Sequence, residues 1–155
     1  TATDESGNVG VGTVNVTVTL QPLITKLQIK LSFAASGKDS ISLSGVLPVP
    51  VGFKTAGQSV AVDIGGVTQS FTLPANGSTA KAGASRIKLS ANGKFSVSLK
   101  GTFAAALADE GLAGTASVKN VPLTVPITLQ LGDSTFPTRR TVLYSAVAGK
   151  SVRAK

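Results

Sequence analysis

IKLSANGKFSVSLKG, running from Ile87 to Gly101, decides the fold class of this chain. Ile87 and Leu89 alternate with Lys88 and Ser90, and Phe95, Val97 and Leu99 alternate with Ser96, Ser98 and Lys100. A period of two puts each apolar set on one face of a β-strand. Opposing Leu89 to Phe95 and Ile87 to Val97 keeps both sets on the same face. It leaves Ala91-Asn92-Gly93 as a three-residue loop with Gly93 at its left-handed position. A two-residue Asn92-Gly93 loop would set Leu89 against Ser96 and mix the faces, so the three-residue register is expected.

A fainter copy of this hairpin lies upstream as IKLSFAASGKDSISLSG, Ile29 to Gly45. Leu27, Ile29, Leu31 and Phe33 alternate with Gln28, Lys30 and Ser32, and Ile41 and Leu43 follow with Ser40, Ser42 and Ser44 outward. The expected register pairs Phe33 with Ile41 and Leu31 with Leu43. The echo predicts two related hairpins in one sandwich. Val60, Val62 and Ile64 run into Gly65-Gly66, a two-residue turn, and Val67 and Phe71 return on the same face with Gln69 between them. Val121 to Leu131 alternates through Val125, Ile127 and Leu129, its prolines suggesting an edge. Thr141 to Val147 gives a last strand before a basic tail. One short helix is expected over Phe103 to Leu112 (FAAALADEGL), with Thr102 as its cap and Gly111 as its end. Asp109 and Glu110 sit at the wrong end of it for the macrodipole.

At the front, VGVGTVNVTVTL (Val9 to Leu20) points Val14, Val16, Val18 and Leu20 one way and Asn15, Thr17 and Thr19 the other. Burying those four side chains is worth roughly 6–12 kcal/mol, which an isolated strand does not gain. Pro22 ends the segment, so residues 1–22 read as a strand extension and residues 23–155 as the main domain. TATDESGNVGVGTVNVTV, residues 1–18, resembles the last loop and strand of bacterial immunoglobulin-like and hyaline-type repeats, in which an A-x-D-x-x-G-N turn precedes the closing strand. The resemblance implies a strand that completes a sandwich belonging to an upstream domain or to another molecule. The fold class expected is all-β: an immunoglobulin-like antiparallel β-sandwich with one short helix and an N-terminal extension strand.

Composition narrows the chemistry. The 155 residues contain no Cys and no His, so disulfides and thiolate or imidazole metal sites are excluded. A nucleophile would have to use Lys or a carboxylate as its base, and no two acids are placed to cooperate, so no enzyme, cofactor or catalytic residue is expected. Asp4, Glu5, Ser6 and Asn8 crowd oxygen atoms together without the count or spacing of a calcium loop, and no metal is assigned. No apolar run reaches the length of a membrane span.

Charge is more informative. Residues 1–25 hold Asp4, Glu5 and no base, whereas the rest carries all 15 bases against the remaining five of seven acids. Lys30, Arg86, Lys88 and Lys100 fall at outward positions of strands and could line one basic sheet face. Aromatic residues interleaved with bases are missing, which argues against nucleic acid. The function expected is a non-enzymatic, extracellular or cell-surface structural module, joined head to tail through Val14, Val16, Val18 and Leu20 to copies of itself or to neighbouring domains of the same chain. The alternative is an adhesive domain that binds anionic polymers or glycans through the basic face.

Overall fold

The structure is a computed structural model, and it describes residues 2–3, 9–10, 20–79 and 85–155. Two short strands, β1 (Ala2–Thr3) and β2 (Val9–Gly10), pair with each other. The remaining strands are β3 (Leu23–Ser32), β4 (Asp39–Val46), β5 (Ser59–Ile64), β6 (Val67–Thr72), β7 (Arg86–Leu89), β8 (Lys94–Gly101), β9 (Val118–Leu131), β10 (Ser134–Val147) and β11 (Ser151–Ala154). They form one 9-stranded sheet in the order β6-β5-β9-β10-β11-β3-β4-β8-β7, antiparallel throughout.

The sheet curls around a single apolar core because alternation is kept in strand after strand. Ile29, Ile41, Leu43, Val60, Val62, Ile87, Leu99, Ile127, Leu129 and Val152 all point inward and are buried. The two end strands are brought toward one another by the chain that leaves β6. It turns at Pro74–Gly77 and lays Gly77–Thr79 along β7, where Leu89 N–H donates to the Gly77 carbonyl at 2.8 Å and Thr79 N–H to the Ile87 carbonyl at 3.0 Å. The exposed edge of β7 is thereby covered, and the sheet is nearly closed.

The expected tight hairpins are found. Ile64 pairs with Val67 across Gly65-Gly66, both at positive φ, and Leu89 pairs with Phe95 across Ala91-Asn92-Gly93, with Gly93 at φ 80. The two echoing hairpins lie side by side, β4 against β8, with Ile41 opposite Leu99 and Leu43 opposite Val97. The β3–β4 register differs from the expectation: Ile29, not Phe33, faces Ile41, and Leu27 faces Leu43. The loop is longer because Phe33 leaves the ladder to pack over Gly114 while Asp39 binds the Ser32 N–H at 2.8 Å. The shift is an even number of residues, so every side chain keeps its face.

The expected helix is absent: Phe103–Leu112 is a run of turns. Phe103 O accepts from Leu107 N–H, Ala105 O from Ala108 N–H, Ala108 O from Gly111 N–H and Leu107 O from Leu112 N–H, bonds spanning four, three, three and five residues. No two successive α-type bonds form, so no helix nucleus propagates. Thr102 does not cap the segment either, since its Oγ1 is engaged by Gly37 N–H at 3.0 Å. The first two amides, of Phe103 and Ala104, go instead to the Asp39 carboxylate at 2.6 and 3.2 Å. Leu107 and Leu112 are still fully buried, so the segment covers one end of the core as irregular chain. Two further corrections concern the C-terminal third. The basic tail contains β11, with Val152 and Ala154 inside, and β9 is an edge only over its first half, because Ile127–Leu131 pair with both β5 and β10.

Candidate functional site: a basic, serine-floored sheet face

The outward positions of β3, β4, β8 and β7 form a floor of serines between two rims of bases. Partner by partner across the strands, one row reads Lys30, Ser40, Lys100; the next Gln28, Ser42, Ser98, Arg86; the next Lys26, Ser44, Ser96, Lys88. Arg153 on β11 extends the first row beside Lys30, and Lys94 stands at the near end of β8. All these bases are exposed. Strands about 4.8 Å apart put the rims roughly 10–14 Å from each other, and successive rows about 7 Å apart along the strands.

The described acids lie elsewhere. Asp39 faces the core, Asp63 is held by Gly66 N–H and Thr68 Oγ1 at 3.0 and 3.1 Å at the far end of the sheet, Asp109 and Glu110 sit in the turn segment, and Asp133 lies between β9 and β10. Among the described residues no acid stands on this face. The bases repel one another at 7 Å in water only modestly, and a polymer carrying regularly spaced negative groups relieves that repulsion while releasing its counterions. No aromatic side chain lies in these rows to stack a base or a sugar ring.

Lys30, Arg86, Lys88 and Lys100, singled out from the sequence, are brought together on this one face. Lys26, Lys94 and Arg153 join them only because of the strand order, which alternation within a strand does not reveal. Val14, Val16 and Val18, expected from the sequence to form an assembly strand, lie outside the described residues, like the oxygen cluster of Asp4, Glu5, Ser6 and Asn8. Leu20, the last of that set, is 60% exposed.

No family model, curated protein or solved structure matches this chain. Among the described residues, no group of three or more acids is placed to hold a metal ion, and no helix is long and apolar enough to cross a membrane.

Proposed function

We propose that this chain is a non-enzymatic module of an extracellular or cell-surface protein that holds an anionic polymer against its basic face. The observation carrying this reading is the pattern of rims and floor, free of acids among the described residues: bases at both ends of the first and third rows, Gln28 and Arg86 at the ends of the second, and serine hydroxyls between them. A linear polymer lying along the strands meets cations on either side at the first and third rows, Gln28 and Arg86 at the second, and hydroxyl partners beneath. The resemblance of residues 1–18 to immunoglobulin-like repeats supports an immunoglobulin-like modular setting of this kind. The test is retention on immobilised heparin as salt is raised. Lys88→Gln combined with Lys100→Gln should reduce the slope of log K against log salt by about 2. The paired control, Lys54→Gln with Lys150→Gln, lies off the face and should leave the slope within about half a unit. Equal effects from the two pairs would defeat the reading.

A second reading, head-to-tail joining through the leading strand, is favoured by one edge of β10. Beyond the Leu143–Lys155 pair, β10 has no ladder partner on its β11 side among the described residues. Gln21 lines a recess of about 430 Å³ there with Pro137, Thr138 and Arg139. A strand presented at an edge of this kind adds main-chain hydrogen bonds without altering the fold. Deleting residues 1–20 should leave a folded monomer and abolish concentration-dependent growth of the full chain in sedimentation velocity. Growth of the truncated form, or a strictly monomeric full chain, excludes this assembly mode.

A further inference from the structure

One place beside the basic face is built differently from the rest. Between Tyr144 and Ala146 the β9–β10 ladder skips, so that Lys119 and Asn120 together oppose Ser145. Such a bulge turns side chains that would otherwise alternate toward one side of the sheet. Asn120 holds φ 54, the one non-glycine residue at positive φ among those described. Its N–H donates to Ser145 Oγ at 3.0 Å, and Ser145 Oγ donates in turn to Asn120 Oδ1 at 3.4 Å. Backbone held in a sparsely populated region by its surroundings is a mark of sites that position groups.

The bulge borders two adjoining recesses, about 360 and 460 Å³, that share Ser145 and Arg153. Both volumes fall in the range of small-ligand pockets. The first is lined by Gln28, Lys30, Asn120 and Leu143, and the second by Lys119 and Val147. Leu143 and Val147 are exposed apolar side chains, 48% and 50%. Arg153 thus stands between two hollows that combine cations, amides, a hydroxyl and an apolar floor.

We infer that the Arg153 recesses form a saccharide subsite that takes an acidic sugar unit. Its carboxylate or sulfate lies on the Arg153 guanidinium and Lys30, its hydroxyls on Gln28, Asn120 and Ser145, and its C–H face on Leu143. The planar fork of Arg suits bidentate contact with an oxyanion. The amides and hydroxyl recognise sugar hydroxyls, which polyphosphate lacks. This inference rests on the polymer-binding reading above and adds which unit of the polymer is read, and where.

The experiment titrates the full chain with a sulfated uronic acid disaccharide while following amide and Arg side-chain NMR shifts. Shifts should concentrate at Asn120, Ser145 and Arg153. Arg153→Gln should weaken the disaccharide about 10–100-fold, as expected for loss of a charge-assisted contact. Asn120→Gly keeps the left-handed backbone without strain and should weaken it several-fold. Inorganic sulfate alone should bind far more weakly, and a short polyphosphate or single-stranded DNA should not shift Asn120. If the polymer is retained but both variants bind the disaccharide like wild type, the subsite is wrong and the face reading survives. Wild type that fails to bind the polymer at all removes both. Equal responses to disaccharide and DNA also overturn the sugar assignment.

Discussion

Asp39→Ala should destabilise the chain by about 3–5 kcal/mol, seen as a large drop in the urea midpoint with an unchanged m-value. Asp39 is 2% exposed, yet it is a charged residue on the core side of β4. Its carboxylate accepts Ser32 N–H, Phe103 N–H and Ala104 N–H. Those three donors belong to the end of β3 and the start of the turn segment, so one side chain fastens two loops separated by more than 60 residues. Truncation leaves all three amides in a place water reaches poorly, and each unsatisfied donor costs about 1–3 kcal/mol. Asp39→Asn retains one acceptor and turns an amide N–H₂ toward donors, so it should lose about half as much. Hydrogen exchange at Phe103 and Ala104 should accelerate before the rest of the sheet. A midpoint within about 1 kcal/mol of wild type would mean that the loops are held by packing alone.

Gly45→Val should cost about 3 kcal/mol or more by the same measurement. Gly45 lies on the core side of β4, between Ile24 on β3 and Phe95 on β8. A Cβ there would collide with the Leu23 carbonyl oxygen and come within 2.9 Å of the Phe95 ring. The Leu23 oxygen is backbone and cannot rotate away, and the register shift between Ile24 and Lys26 shows that β3 already bends to pass this point. The control is Gly52→Ala. Gly52 has φ 79 but nothing within 4 Å of its added carbon, so only the left-handed penalty of about 1–2 kcal/mol applies. Equal losses at the two sites would show that backbone freedom, not close approach, is the reason for glycine at position 45.

The parts of the fold legible in the sequence are those whose turns carry their own chemistry. Gly65-Gly66 and Asn92-Gly93 supply the positive φ values that tight hairpins need, and their registers are as expected. Phe33–Lys38 carries a single such glycine, Gly37 at φ 74, in a loop too long for a glycine to fix its register, and there the register differs by an even number that alternation cannot detect. The helix failed for a tertiary reason. The amides that Thr102 was expected to cap are taken by a carboxylate more than 60 residues upstream, and Leu107 and Leu112 are buried without helical geometry. β11 was hidden because its inward residues, Val152 and Ala154, are only two in number beside bases that read as a tail.

The candidate face divides in the same way. Lys30, Arg86, Lys88 and Lys100 could be placed outward by alternation within their own strands. That they share one face with Lys26 and Arg153 depends on long-range strand order. Asn120 and Ser145 owe their position to a bulge, which period-two reading smooths over. The one available clue was residue type, since Asn tolerates the left-handed region better than other non-glycine residues.

β9 and β10, 14 residues each, pair with one another along nearly their whole length. Near their shared turn β9 binds β5, and at the opposite end β10 binds β11. Within the strand ladder, the β5–β6 side therefore reaches the β3–β4–β8–β7 side through this single ribbon, and a second link is the Gly77–Thr79 stretch bonded to β7. Load applied across the molecule along the sheet order would have to shear that ribbon lengthwise or strip the short β11 from it, and also part Gly77–Thr79 from β7. On the ladder side the weak link is thus the four-residue β11 and not the long hairpin, and on the closing side it is the short Gly77–Thr79 contact with β7.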